Sequence, residues 1–206
     1  MVAIIDYDAG NIKSVENAVR FLGREAVVTS DGDVILGADH VILPGVGAFG
    51  DAMGRLRERG LEETIKKAVA AGIPFLGICL GLQLLFEESE ESPGVRGLSV
   101  LPGKIRRIPE GDGRKVPQIG WNDLTFTETG SRGRLFRGLE SGCFVYFVHS
   151  YYLEAGDFSD VAATTEYGPV IHAAVEKGNV FACQFHPEKS ERTGLRILQN
   201  FLETAR

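Results

Sequence analysis

Short apolar segments alternate with amphipathic segments through the first half of the chain, and this alternation constrains the fold more than any other feature. The segments with strand character are Val2–Ile5, Ala26–Thr29, His40–Leu43 and Pro74–Ile78. The segments with helical spacing are one that we expect Asn11 to cap, then Phe49–Arg59, Leu61–Ala71 and Leu80–Glu88. Strands that are separated by helices predict βαβ units, and therefore a mostly parallel sheet.

The second half of the chain is richer in strands, with Gly, Pro and Asp in the turns between them. Its strand-like segments are Ile105–Ile108, Leu124–Thr127, Cys143–Val148, Val161–Thr165, Ile171–Val175 and Val180–Phe185. A helix with one apolar face is predicted near Thr193–Thr204. We find no linker or repeat, so the sequence predicts a single α/β domain over residues 1–206 with a β-rich second half.

Charge and cysteine content exclude several classes of protein. A formal net charge of −6 leaves little basic surface for nucleic acid or an anionic membrane. Three cysteines cannot all pair within the chain, which argues against a secreted disulfide framework. Neither a signal peptide nor a membrane-spanning segment is recognisable. We therefore expect a cytoplasmic protein that binds neither nucleic acid nor membranes.

The segment Pro74–Leu85, PFLGICLGLQLL, places Cys79 between an apolar strand and a helix. Gly77 and Gly81 stand two residues before and two after it, as in the G-x-S-x-G turn that exposes a nucleophile. Such a turn puts the sulfur at a helix N-terminus, where the thiolate form is favoured. Cys79 is therefore the candidate nucleophile, whereas Cys143 and Cys183 lie within strand-like segments and are predicted to be inert.

His186 directly follows an apolar strand and precedes Pro187 and Glu188. Because Pro187 restricts its neighbour, we expect an extended tripeptide in which the Glu188 carboxylate approaches the His186 ring. By itself this pair also fits a surface turn, but together with Cys79 it predicts a Cys79–His186–Glu188 triad. The cysteines and histidines lack the close spacing of zinc ligands, so we expect no metal site.

The loop VILPGVGAFGD matches the dinucleotide-binding pattern through Gly45, Gly47 and Gly50. It does not lie in the first βα turn, and the strand that follows ends at Ile78 without a carboxylate, so the pattern fails its structural context. An oxyanion hole suits these glycines better. Its predicted donors are the backbone N–H groups near Val46 and Gly47 together with that of Leu80.

The motifs PGVG, GICLGLQLLFEESEE and FHPEKS together resemble the class I glutamine amidotransferases. The longer matches, with GWN at Gly120–Asn122 and VHSYY at Val148–Tyr152, are similar to the glutaminase subunits of imidazole glycerol phosphate synthase. The resemblance runs through the chain in the family's order, beginning with DYDAGN at Asp6–Asn11. It implies a flavodoxin-like open sheet with helices on both faces, and no cofactor.

The resemblance also implies an activity, a partner and further site residues. Cys79 would attack the carboxamide of glutamine, and the ammonia would pass to a (β/α)₈ cyclase subunit in a heterodimer for histidine biosynthesis. The residues that match the family's glutamine pocket are Gly47, Gln83, Ser150 and Tyr151. Those that match positions facing the partner are Asn11, Trp121, Tyr146 and Lys189. Gln118 departs from the family, which often has PHMGWN where this chain has PQIGWN.

Two alternatives remain open from the sequence. An amidotransferase subunit for anthranilate or aminodeoxychorismate synthesis would share the triad, although those relatives typically lack the EESEE run. A flavodoxin-like module without catalysis, which carries a redox thiol or a bound nucleotide, would share the fold. Glutamate release and the identity of the copurifying partner distinguish these possibilities.

Overall fold

A large central sheet organises the chain in the computed structural model, which describes residues 1–8, 11–111 and 113–205. The strands are β1 (Val2–Ile5), β2 (Ala26–Thr29), β3 (His40–Leu43), β4 (Phe75–Ile78), β5 (Glu88–Ser89), β6 (Gly103–Arg107), β7 (Gln118–Asp123), β8 (Thr125–Phe126), β9 (Phe144–His149), β10 (Tyr151–Ala155), β11 (Val161–Glu166), β12 (Val170–Lys177) and β13 (Val180–Cys183). The α-helices are α1 (Ile12–Phe21), α2 (Gly32–Leu36), α3 (Phe49–Glu58), α4 (Leu61–Ala70), α5 (Leu80–Leu84), α6 (Glu128–Arg132) and α7 (Glu191–Leu202). Within these described ranges, no helix has the length and apolar character needed to cross a membrane.

The central sheet has eight strands in the order β2-β1-β3-β4-β13-β12-β11-β8. The first five strands of that order are parallel to one another, and the remaining pairs are antiparallel. This arrangement confirms the predicted α/β fold with a mostly parallel sheet. The last strand in sequence, β13, lies beside β4 near the middle of the sheet.

Helices cover both faces of the sheet, as the family resemblance implies. Side chains alternate along each strand, so Ala3 and Ile5 of β1 face one core while Val2 and Ile4 face the other. The first core packs against α3 and α4, and the second packs against α1 and α7. The apolar stripes of these amphipathic helices account for their positions.

The acidic segment after α5 differs from the sequence prediction. A helix through Glu88 is wrong, because α5 ends at Leu84 and Glu88–Ser89 forms β5 beside β6. Here the backbone N–H of Gly103 donates to the Glu87 carboxylate at 3.1 Å, and that of Arg107 donates to Glu90 at 2.8 Å. Tertiary partners therefore override the helical propensity of the glutamates.

Asn11 stands immediately before α1, but its side chain does not cap the helix backbone. Its Oδ1 instead accepts a hydrogen bond from the Ser14 hydroxyl at 2.9 Å. The expected side-chain cap is therefore wrong, although the helix begins at the predicted place. Of the DYDAGN motif, Ala9 and Gly10 lie outside the described residues.

Gly81 makes the closest backbone approach around the turn between β4 and α5. A Cβ atom added there would lie 1.8 Å from the Leu43 carbonyl oxygen. We expect Gly81→Ala to lower the free energy of unfolding by about 3 kcal/mol, because the backbone of β3 must move. Urea denaturation measures this loss.

The matched control is Gly54→Ala in α3, where an added Cβ meets nothing within 4 Å. This change should stabilise the chain by about 0.5–1 kcal/mol, because alanine favours the helix. An equal effect of the two substitutions would contradict the role assigned to the close contact at Gly81.

Candidate active site

Cys79 occupies the sharp turn between β4 and α5, where the sequence predicts a nucleophile. Its backbone has φ 55° and ψ −110°, a left-handed conformation that non-glycine residues rarely adopt. The Cys79 N–H donates to the Cys183 carbonyl at 2.8 Å, which ties the turn to β13. A Cβ on Gly77 would lie 2.7 Å from the Gly81 carbonyl oxygen, so the flanking glycines are required for the turn.

The pairing of β4 with β13 brings His186 to the same end of the sheet as Cys79. Ile78 and Cys183 are register partners in these parallel strands, so both strands end at the C-terminal edge of the sheet. His186 Nδ1 lies 2.8 Å from Glu188 Oε1, as predicted. The extended tripeptide is wrong, however, because Pro187–Lys189 forms a 3₁₀ turn, which suits the fixed φ of proline at a first helical position.

The electrostatic environment of His186 favours its charged form. Burial opposes protonation, but the hydrogen bonds with Cys79 and Glu188 outweigh it and raise the pKa of His186 from 6.5 to about 10. The second carboxylate oxygen of Glu188 is buried and has no hydrogen-bond partner among the described residues. The imidazole therefore holds a proton at neutral pH beside the Cys79 sulfur.

A cavity of about 300 Å³ opens beside Cys79 and His186. It collects residues that the sequence predicts for the oxyanion hole and the glutamine pocket, together with one from the partner-facing set. These lining residues are Val46, Gly47, Leu80, Gln83, Ser150, Tyr151 and Lys189. Their convergence on one concave site next to the triad makes this cavity the candidate active site.

Side-chain amides form a network beneath the cavity. Gln83 Nε2 donates to the Tyr151 carbonyl at 3.1 Å and to Gln184 Oε1 at 3.0 Å. Gln184 Nε2 in turn lies 3.8 Å from the Cys79 sulfur, whose thiol also faces the Val148 carbonyl at 3.8 Å. These contacts fix the wall of the cavity relative to the nucleophile.

Gln184 and His149 are buried beside this site and were not predicted from the sequence. Gln184 is a polar residue that directly continues the apolar β13, and this contrast is a signal that could have identified it. His149 lies in the VHSYY motif and lines the cavity. Its contact with Gln118 depends on the pairing of β7 with β9, and the sequence did not predict β7.

The predicted oxyanion donors lie at the cavity, but one of them is already engaged. The Leu80 N–H donates to the Gly45 carbonyl at 3.3 Å. Gly47 has φ 97°, which only glycine adopts without strain, and Val46 is 44% exposed at the cavity rim. A rotation of this loop would free the Leu80 N–H for a substrate oxygen.

The four residues predicted to face a partner lie in three places. Trp121 and Tyr146 are register partners on β7 and β9, and their rings meet edge to face at 6.0 Å. Trp121 is 47% exposed, so its ring is not packed into the core. Lys189 lines the active-site cavity, and Asn11 lines a narrow crevice together with Glu188.

The other two cysteines lie in environments that suppress reactivity. Burial raises the pKa of the Cys183 thiol well above its ordinary value, with a further contribution from Glu188. Burial also raises the pKa of the half-buried Cys143. Both thiols are free, and a raised pKa keeps them protonated, as expected of inert cysteines.

Comparison with known proteins gives relatives that extend over the whole chain. Residues 3–205 match the family model for glutamine amidotransferase class-I. The imidazole glycerol phosphate synthase subunit HisH of Methanothermobacter thermautotrophicus is 52% identical over 206 residues, which are all of both chains. HisH of Moorella thermoacetica is 50% identical over 205 residues, which cover 100% of this chain and 95% of the relative.

Two solved structures have the same fold as this chain over nearly its whole length. The crystal structure of a glutamine amidotransferase superposes with a TM-score of 0.76 at 26% identity, and 98% of each chain is covered. The glutaminase domain of Trypanosoma brucei CTPS, solved with bound acivicin, gives a TM-score of 0.62 at 17% identity. That comparison covers 100% of this chain and 94% of the other, and supports the fold alone.

Proposed function

Because this chain belongs to the class I glutamine amidotransferases and, within them, to the HisH subunits of imidazole glycerol phosphate synthase, we propose that Cys79, His186 and Glu188 are its catalytic triad. The chain is the glutaminase subunit, which hydrolyses glutamine and supplies ammonia to the synthase in histidine biosynthesis. The observation that carries the residue assignment is the meeting of the Cys79 turn with the His186–Glu188 pair at one sheet edge.

The proposed reaction proceeds through a thioester. The Cys79 sulfur attacks the side-chain carbonyl carbon of glutamine, and the carbonyl oxygen takes up negative charge. His186 gives its proton to the nitrogen as the C–N bond breaks, so ammonia leaves and a glutamyl thioester remains. His186 then accepts a proton from water, whose oxygen attacks the thioester to release glutamate and restore the thiolate. Glu188 holds the imidazole in position and stabilises its charged form.

The remaining cavity residues have binding roles in this proposal. Backbone N–H groups at Val46, Gly47 and Leu80 stabilise the oxyanion. Gln83, Ser150 and Tyr151 hold the glutamine, and the hydrogen bond from Gln83 to the Tyr151 carbonyl supports their arrangement. All of them line the cavity beside the nucleophile. The reaction needs no cofactor.

The ammonia acceptor is the cyclase subunit of the same synthase, a (β/α)₈ barrel. We propose that it docks over Asn11, Trp121, Tyr146 and Lys189. The exposed ring of Trp121 on the β7–β9 ribbon supports this face, since exposed aromatic residues are enriched at interfaces. We also propose that residues 1–206 form one domain and act in the cytoplasm, in keeping with three free cysteines.

Partner docking is expected to raise the glutaminase rate by about 10²–10³-fold, which is the usual value of one oxyanion donor. The reason is that the Leu80 N–H donates to Gly45 in the isolated chain and becomes available only after the loop turns. Glutamate release with and without the cyclase subunit measures this ratio.

Trp121→Ala is the matched interface variant for that experiment. Calorimetry should show weaker binding of this variant to the cyclase subunit, and half-maximal stimulation should require more cyclase subunit. The rate of glutamine hydrolysis without the cyclase subunit should stay the same. A fully active isolated chain would refute the need for loop rotation. Failure of the two subunits to associate would refute the proposed partner face.

A further inference from the structure

His149 is a buried histidine that the proposed mechanism does not use. It lies on β9 directly opposite Gln118 of β7, and the two side chains are 6% and 3% exposed. Its Nδ1 is 2.8 Å from the Tyr151 carbonyl oxygen, and its Nε2 is 2.9 Å from Gln118 Oε1. Both ring nitrogens therefore face a side-chain or backbone carbonyl.

Only a doubly protonated ring could donate to both oxygens. Burial disfavours that charge and the nearby His186 repels it, so the pKa of His149 is lowered to about 4 despite its hydrogen bond with the Tyr151 carbonyl. At neutral pH the ring is uncharged and carries one proton. At one of the two contacts the ring nitrogen must therefore accept a hydrogen bond, because it has no proton to donate.

The Tyr151 carbonyl is fixed because it belongs to the backbone of β10, next to the paired residues of β6. Gln118 is not fixed in this way, because a half-turn of its terminal amide exchanges oxygen and nitrogen without moving other atoms. The proton therefore belongs on Nδ1, and the Gln118 NH₂ group donates to the lone pair on Nε2.

We propose that His149 is a positioning residue, held by Gln118 as the neutral Nδ1–H tautomer, that fixes the Tyr151 carbonyl in the wall of the glutamine pocket. The same carbonyl accepts the hydrogen bond from Gln83 at 3.1 Å. His149 and Gln83 thus clamp one oxygen from two sides. This inference rests on the proposed function, because it assigns Tyr151 and Gln83 to glutamine binding.

Nitrogen-15 NMR of histidine-labelled protein tests the tautomer directly. In the unsubstituted chain at pH 7 we expect a protonated Nδ1 and an unprotonated, hydrogen-bonded Nε2 for His149. The isosteric variant Gln118→Glu removes the donor and presents only acceptors, so Nε2 should take up a proton. A protonated Nε2 in the unsubstituted chain would overturn the proposal, because Gln118 would then be the acceptor.

Kinetics of the complex with the cyclase subunit test the positioning role. His149→Leu removes the donor and should raise KM for glutamine about tenfold, with a smaller change in kcat, as expected when one buried hydrogen bond is lost. His149→Asn is smaller than histidine but places an amide N–H where Nδ1 stands, so it can still donate to the Tyr151 carbonyl and should keep KM within about threefold of the original. Equal values of KM for the two variants would overturn the proposal.

The NMR and kinetic experiments together distinguish failure of this inference from failure of the proposed function. The protonation state of the ring is read without turnover, so it decides the tautomer even if the chain hydrolyses no glutamine. An inactive unsubstituted complex would instead refute the glutaminase assignment itself. Thermal denaturation of each variant identifies a general loss of stability, which would lower kcat and the fraction of active protein without a selective change in KM.

Discussion

Replacing Cys79 by alanine is expected to lower glutamine hydrolysis by about 10⁴-fold or more, the scale seen when the nucleophile of a triad is removed. Without sulfur no thioester forms, and the oxyanion donors have no covalent intermediate to stabilise. The backbone at φ 55° is equally strained for alanine and cysteine, so the fold should persist. Glutamate release in the complex measures the rate, and mass spectrometry detects the glutamyl adduct.

Cys143→Ala is the control for that experiment, because Cys143 is half-buried and absent from the lining of the active-site cavity. It should leave glutamate release unchanged. With free ammonia in place of glutamine, the Cys79→Ala complex should be as active as the unsubstituted complex, because the cyclase subunit is intact. Substantial glutamine turnover without Cys79 would refute the thioester mechanism.

Replacing Glu188 by glutamine is expected to lower kcat by about 10⁴-fold, the scale known for loss of a carboxylate that orients a catalytic histidine. A neutral amide no longer stabilises the imidazolium, so the pKa of His186 should fall from about 10. His186 must carry a proton to release ammonia. The alkaline limb of the pH–rate profile should therefore move to lower pH, which a series of kcat measurements would show.

The contacts of His186 with Cys79 and Glu188 also make the stability of the fold depend on pH. Because the pKa of His186 in the folded chain exceeds its value of 6.5 in the unfolded chain, the stabilisation is complete below pH 6.5 and is lost as the pH rises towards 10.

Glu191→Gln is the control for the Glu188→Gln experiment. Glu191 lies three residues further on at an exposed position, so its replacement should change neither the rate nor the alkaline limb of the pH–rate profile. An unchanged limb in Glu188→Gln would show that Glu188 does not control the charge of His186.

The first half of the fold was predictable because local signals agree there with the tertiary structure. The predicted bounds of β1, β2 and β3 match the structure, since each is a short apolar run between clear breaks. The second half was harder. β7 contains Gly120 and β10 contains Glu154, so neither shows a clean alternation, and their existence depends on partners elsewhere in the chain.

The site residues also divide into those that local motifs predict and those that depend on distant parts of the chain. Cys79, His186 and Glu188 stand in local motifs whose spacing carries the chemistry, and the structure brings them together. Gln184 and His149 have no such motif, because their roles arise from contacts with Gln83, Gln118 and the Tyr151 carbonyl across separate strands. The direction of the Leu80 N–H depends on the path of the glycine loop, which sequence alone does not give.

The central position of β13 has a consequence for synthesis of the protein. The reactive cysteine emerges from the ribosome long before its base, with about half of the chain between them. Until the final strand pairs between β4 and β12, Cys79 has no catalytic histidine beside it. An unfinished polypeptide therefore has no complete triad and cannot consume glutamine before synthesis ends.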